Sequence, residues 1–236
     1  MDEFGISTCL VGIGEAGESR LAEGFEDRES DAEMVPDSEI DADTRYVRTG
    51  ERVENTEFAS FDLVVVTGDV SDDDSVETAA HIGDSCDSDA VSVVLVAGEP
   101  AKAELQTLTQ SFGAVIVVER GRWIQELLTD LFTLYSQSMM LHTDYAQINT
   151  NLKQGSVASV CRATGDREEL DDVVESCSGA GDDVLVGYAE VGREFTVGDA
   201  EELEALLGNE RVVGGQATLN GDTGIRLTLL KRASLV

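Results

Sequence analysis

Gly12-Ile13-Gly14-Glu15-Ala16-Gly17 directly follows a short apolar run, Ser7-Thr8-Cys9-Leu10-Val11. A strand that bends through G-x-G-x-x-G into a helix turns backbone N–H groups toward one point, where a phosphate fits. Gly12, Gly14 and Gly17 are therefore candidate nucleotide contacts. Glu15 and Glu18 stand beside them, and carboxylates in that place repel the anion that the N–H groups attract.

Other residue types point to less. His81 and His142 are the histidines of the chain; neither has a Cys or paired-carboxylate neighbour at ligand spacing, so both read as surface or loop residues. Cys9, Cys86, Cys161 and Cys177 lie far apart, with no CxxC and no Cys/His spacing, and no metal centre is expected. Cys9 and Cys161 fall in strand-like runs and read as small buried apolar side chains. Asp72-Asp73-Asp74 reads as a solvated acidic loop and not as a metal site. No G-x-S-x-G occurs, so a hydrolase elbow has no support. Trp123 reads as a core or interface anchor.

Composition narrows the class. The chain has 236 residues, 42% of them hydrophobic, enough for a substantial core. Asp and Glu number 48 against 16 Lys and Arg, a formal charge of −32. Self-repulsion on that scale works against a compact state. At molar salt the Debye length falls to about 3 Å and screens it. The acid is spread along the whole chain, as suits a halophilic, salt-in cytoplasm; an acidic interaction protein of an ordinary cell is the alternative. Nucleic acid is not an expected partner, since no basic patch exists to neutralise phosphates. The N-terminus is acidic and no apolar stretch approaches about 18 residues, so a soluble, cytoplasmic protein is expected.

The elements that would carry the glycine turn follow from periodicity. Residues 6–11, Phe61–Thr67, Val91–Ala97 and Ala114–Val118 are continuous apolar runs of strand length, as in a parallel sheet covered on both faces. Helical stretches at 15–24, Val76–Ile82 and Pro100–Gln110 alternate with them, so the fold class is α/β, a doubly wound, mostly parallel sheet. Residues 26–60 read as an irregular connection with one short strand near Arg45–Arg48. Arg122–Leu141 carries Trp123, Leu127, Leu128, Leu131, Phe132, Tyr135 and Met139 at helical spacing, a long helix with one broad apolar face. A second helical stretch, Tyr145–Leu152, follows. Then come strand Ser156–Arg162, helix Arg167–Cys177, strand Asp183–Glu190, helix Asp199–Leu207, and strands Val212–Leu219 and Gly224–Leu230. Asn220-Gly221-Asp222 between the last two signals a hairpin. The expected organisation is a nucleotide-binding-like domain over 1–121, a central helix and loop over 122–150, and a smaller α+β domain over 151–236.

This order of elements resembles the FtsZ/tubulin superfamily at three junctions. The turn Gly12–Gly17 stands where that family has its glycine-rich phosphate loop. Phe61–Gly68 looks like the strand before its GGGTGTG loop. Asp144-Tyr145-Ala146-Gln147-Ile148, after the long helix, resembles the NxDFADV loop that completes GTP hydrolysis across a subunit contact. The resemblance covers most of the chain. It implies GTP or GDP with Mg²⁺ as the cofactor, Gly12, Gly14, Gly17 and Gly68 as its contacts, and Asp144 as a catalytic residue. The departures are chemical. The second loop reads Gly68-Asp69-Val70-Ser71-Asp72-Asp73-Asp74-Ser75 where the family has Gly and Thr. A backbone without side chains wraps a diphosphate closely, whereas each carboxylate at contact distance repels it by about 1 kcal/mol even in bulk water. Gln147 stands where the family's second acid belongs and His142 where an Asn does; an amide cannot act as general base, though it can orient a water. Asp144 also suits an N-cap, worth about 1 kcal/mol.

The expectation is a degenerate GTPase: an FtsZ/tubulin-like cytoskeletal or regulatory protein without GTPase activity. It would act through contacts with a protein partner, a filament-forming homologue or another copy of itself. A GTP-hydrolysing filament former, tolerant of acidic loops in abundant cations, is the second reading. A Rossmann-like dinucleotide-binding protein is the third, resting on the opening glycines alone.

Overall fold

The computed structural model describes residues 6–26, 42–54, 57–119 except 69 and 71, 121, 123–136, 145–177 except 154, 184–207 except 193, 213–217 and 224–233. In chain order the elements are β1 (Thr8–Ile13), α1 (Gly14–Glu26), β2 (Ala42–Val47), β3 (Leu63–Gly68), α2 (Asp73–Asp84), β4 (Val91–Ala97), α3 (Lys102–Ser111), β5 (Ala114–Val118), α4 (Trp123–Ser136), α5 (Tyr145–Leu152), β6 (Ser156–Asp166), α6 (Leu170–Cys177), β7 (Val184–Val191), α7 (Val197–Leu207), β8 (Val213–Ala217) and β9 (Gly224–Arg232). One turn of 3-10 helix, Arg167–Glu169, leads into α6.

The strands form one nine-stranded sheet in the order β2-β1-β3-β4-β5-β6-β9-β7-β8. From β2 to β6 every pair is parallel. β9 then runs antiparallel between β6 and β7, and β8 lies parallel to β7. The α/β, doubly wound class read from the apolar runs is the class observed. β3 shows why those runs lack polar alternation. Leu63 and Val65 enter a core with α1 and α4, while Val64 and Val66 enter a second core with α2 and α3. Successive side chains point to opposite faces, and both faces are covered. A third core joins α6 and α7 to β7 and β9 through Val173, Val174, Leu203, Leu227 and Leu229.

Three features differ from the sequence reading. β2 is a full strand laid parallel on β1, from Thr8↔Ala42 to Ile13↔Val47. As an edge strand it is largely exposed and carries Asp43, Thr44 and Arg45, so no apolar run announced it. β6 extends to Asp166 because its second half pairs with β9 and leaves polar residues at the surface. The two last strands do not form a hairpin: β7 lies between β8 and β9. The turn residues 220–222, outside the described set, signalled a reversal of direction, which the two strands do show; a reversal does not require adjacency. The long helix is described as far as Ser136.

α4 ties the parallel half of the sheet to the antiparallel half. Ile124, Leu127, Leu128, Leu131 and Leu134 fill the first core, which also takes Leu185, Val186, Tyr188 and Leu230 from β7 and β9. On the same buried face sits Asp130, 1% exposed. Its Oδ2 accepts hydrogen bonds from Arg162 Nη2 and from Thr228 Oγ1 (2.9 Å), and its Oδ1 accepts from Arg226 Nη2 (3.3 Å). Register explains the convergence: Arg162 pairs across β6–β9 with Thr228, and Arg226 pairs across β9–β7 with Glu190. Arg162 also pairs with Glu126, and Arg226 with Glu190. Burial, then the charge of Arg226, lowers Arg162 to about 10, still protonated at neutral pH.

Asp130→Ala would leave Arg162, only 5% exposed, without the carboxylate it shares with Arg226. The expected loss is about 3–5 kcal/mol of stability, read from denaturant unfolding in molar KCl. A loss below about 1 kcal/mol would show that the tie is not load-sharing.

Candidate functional site

β1 and β3 end side by side, with Ile13 opposite Gly68. β2 lies on the far side of β1 and β4 on the far side of β3, so the chain winds in opposite directions from this point. The crevice at the carboxyl ends of such a strand pair is where open α/β sheets bind ligands. The glycines of the sequence reading meet here. Gly14, at φ +63°, makes the turn from β1 into α1, a conformation that favours glycine. A Cβ on Gly17 would lie 2.6 Å from Thr67 O and 2.7 Å from Gly12 C; one on Gly12 would lie 2.8 Å from Gly17 C. On Gly68 it would lie 2.9 Å from Ile13 Cβ. Gly12, Gly17 and Gly68 thus let β1, α1 and β3 touch backbone to backbone.

The other wall is α2. Asp72, extended at φ −127° and ψ 156°, is its N-cap. Its Oδ1 accepts from Ser75 N–H (2.9 Å) and its Oδ2 from Ser75 Oγ (2.8 Å). The backbone N–H of Ser75, then its hydroxyl, hold the carboxyl of Asp72 below its ordinary range. Asp73 and Asp74 follow in the first turn and, like Asp72, are exposed. Carboxylates suit the positive end of a helix. They also take the place that an incoming anion would need. Glu15 and Glu18 are exposed on the first turns of α1.

A third segment crosses between the walls. After β2, Arg48 N–H donates to Glu51 Oε2 (3.0 Å) and Glu51 N–H to Arg48 O (2.9 Å), closing a turn. Thr49 Oγ1 lies 3.1 Å from where a Cβ of Gly14 would stand, and Gly50 N–H donates to Thr78 Oγ1 on α2 (2.8 Å). Arg20 reaches from α1 to donate to Gly68 O (2.6 Å). The Thr67 hydroxyl is fully buried and has no hydrogen-bond partner among the described residues.

Asp144 and His142 lie outside the described residues. Gln147 is exposed on α5. His81 is exposed on α2, 3.6 Å from Glu77 one turn before it. Trp123 is partly buried against the first core. Cys9 is fully buried, and burial raises its thiol to about 12. Cys161, read as a buried apolar residue, is partly exposed. Among the described residues no group of three or more His, Cys, Asp or Glu is placed to hold a metal ion, and no helix is long and apolar enough to cross a membrane. What the sequence reading missed is the Asp130 cluster. Its signal was present: a carboxylate three residues after Leu127 and four before Leu134, on the apolar stripe of the long helix.

No family model matches the chain, and no curated protein matches it. Solved structures do. An FtsZ W319Y mutant of M. jannaschii superposes with a TM-score of 0.71 at 13% identity, over 97% of this chain and 91% of that one. The chain has the FtsZ/tubulin fold. CetZ1 from Haloferax volcanii, a GDP-bound monomer, gives 0.65 at 11% identity, over 97% and 95% of the two chains. TubZ of Bacillus thuringiensis serovar israelensis, a GTPγS-form protofilament, gives 0.57 at 9% identity, over 97% and 88%. The glycine junction lies at the switch point of this fold.

Two predictions test this geometry. Gly17→Ala drives a methyl into the Thr67 carbonyl and is expected to cost about 1–3 kcal/mol or more. Gly121→Ala, where a Cβ meets nothing within 4 Å, is expected to be neutral; equal unfolding midpoints for the two would refute the close approach. The Asp72 cap is present above the unfolded carboxyl value of 3.8 and is lost as pH falls through the lower folded value. The difference in thermal midpoint between the chain and Asp72→Ala should therefore shrink from about pH 5 to about pH 3.

Proposed function

We propose that the chain is a cytoskeletal or regulatory protein of FtsZ/tubulin type that no longer hydrolyses GTP and acts through protein–protein contacts. The observation that carries this reading is the Asp72 cap. The N–H of Ser75, at the helix start that walls the cradle, is already bonded to the chain's own carboxylate, and two more carboxylates follow it. Gly12 and Gly17 then serve to seat α1 on the sheet, Gly68 lets β3 lie close to Ile13, and Gly14 makes the turn, whether or not a phosphate arrives. Three residues after Asp144 in the sequence stands Gln147, where the resemblance calls for a second acid, and an amide cannot act as a general base.

In this reading the region 1–121 is a closed relic of a nucleotide domain, 122–150 the spine, and 151–236 the second domain. The partner is a filament-forming homologue or a second copy. The charge of −32 supports a salt-rich cytoplasm as its setting. The runner-up, a GTP-dependent filament former, is favoured by one observation: the buried Thr67 hydroxyl without a partner, on the residue paired with Gly12. A nucleotide oxygen or a water held by one would satisfy it.

Calorimetric titration with GTP and GDP, in molar KCl with Mg²⁺, separates the two. No binding at micromolar concentration is expected. Micromolar affinity, with GTP-dependent pelleting, would overturn the non-catalytic reading in favour of the runner-up.

A further inference from the structure

Away from the cradle, α6 lies flat on the outer face of β6. A Cβ on Gly165 would stand 2.5 Å from Val173 Cγ2, so helix and strand touch. Cys161 and Ala163, on the same face of β6 as Gly165, pack against the core that includes Val173, Val174 and Cys177. The Cys161 thiol reaches the last turn of α6, 3.9 Å from Ser176 O. Cys177, the next residue, lies in the core that Cys161 packs against, and the Cys161 side chain, then burial, pushes its thiol up. The two sulfurs differ in access: Cys161 is partly exposed and Cys177 is 2% exposed. Lys231 brings a positive charge, its Nζ donating to Cys177 O at 2.9 Å. Cys9 and Cys86 sit in a different core, and the Cys86 thiol donates to Ile82 O.

We propose that Cys161 and Cys177 are a redox pair, which a two-electron oxidant of the peroxide class joins into a reversible disulfide fastening the end of α6 to β6. Cys161, as thiolate, attacks one peroxide oxygen. The S–O bond forms, the O–O bond breaks, and the departing hydroxide takes up the thiol's proton as water. Cys177 then attacks the Cys161 sulfur. The S–S bond forms, the S–O bond breaks, and the hydroxyl leaves with the Cys177 proton as a second water. One peroxide becomes two waters while two thiols become one disulfide, and a dithiol reverses the step by exchange. The arrangement of one reachable sulfur backed by a covered one lets the first be captured by the second before further oxidation. Lys231 acts on the second sulfur, its charge opposing the upward push on the Cys177 thiol.

The test uses the full folded chain in molar KCl, treated with a small excess of hydrogen peroxide, alkylated before and after denaturation, and mapped by peptide mass. The expected product is one peptide pair linked through Cys161 and Cys177, with Cys9 and Cys86 still alkylated, and recovery of both thiols on adding dithiothreitol. The oxidised chain should melt several degrees above the reduced one, and Cys161→Ser should abolish the shift. In Cys177→Ser, Cys161 should be trapped as the sulfenic acid by dimedone. The proposal is overturned if both thiols remain alkylatable, if Cys161 passes to the sulfinic acid in the unaltered chain, or if the linked cysteines come from different chains. The peptide map of the unaltered chain decides the matter even if a variant fails to fold.

Discussion

A buried carboxylate needs partners, and Asp130 has recruited them from two strands that are far apart in sequence. Arg162, Arg226 and Thr228 all bond to it, and Glu190 holds Arg226 from the other side. An unpaired charge in that place would be prohibitive. The cluster therefore fixes where β6, β9 and β7 stand relative to α4. α4 in turn packs in the same core as α1, and α1 meets β1 and β3 through Gly12 and Gly17. The position of the cradle thus rests on a charge some distance from it.

Salt acts differently on the two kinds of charge in this molecule. The surface acid behind the net −32 is exposed to mobile ions, and its repulsion is screened at short range in molar salt. At the centre of the Asp130 cluster, Asp130 and Arg162 are withdrawn from solvent, so screening reaches that contact far less. High salt consequently relaxes the force that would expand the chain while leaving the internal tie between its halves. In high salt a buried network holds better than surface ion pairs, which the same salt weakens.

The sheet was legible because burial on two faces leaves a plain mark. Val64-Val65-Val66 and Val93-Leu95 read as strands before any coordinates, since no position between them is polar. β2 was not legible as a whole strand, because an edge has one exposed side and Arg45 finds its place by bonding Glu57 and lying over Phe58 and Phe61. The β8–β9 hairpin failed for a similar reason: a turn signal is local, whereas strand adjacency is decided by β7 packing between them. The glycine junction was legible as a place and only half legible as chemistry. A G-x-G-x-x-G spacing marks close approach of a helix and a strand whether or not a phosphate is present, and the Cβ distances here show that close approach alone demands Gly12 and Gly17. The capping role of Asp72 follows from Ser75 three residues later, a pairing the acidic run concealed.

β6 is where these constraints converge. Its first residues extend the parallel sheet from β5, and its remaining length pairs antiparallel with β9. Neighbouring residues on it face opposite ways: Arg162 points to Asp130 under α4, and Cys161 points to Cys177 under α6. One strand therefore carries an ionic tie on its inner face and a thiol pair on its outer face, one residue apart. The ionic tie is fixed at neutral pH, since Arg162 keeps its proton up to about 10. The thiol contact is the adjustable member, because its covalent state depends on an external electron acceptor. Tightening α6 against β6 leaves the parallel half untouched, since α6 contributes to the third core and not to the two that flank the cradle. Rigidity of the second half and occupancy of the switch point are for this reason physically separable properties of the chain.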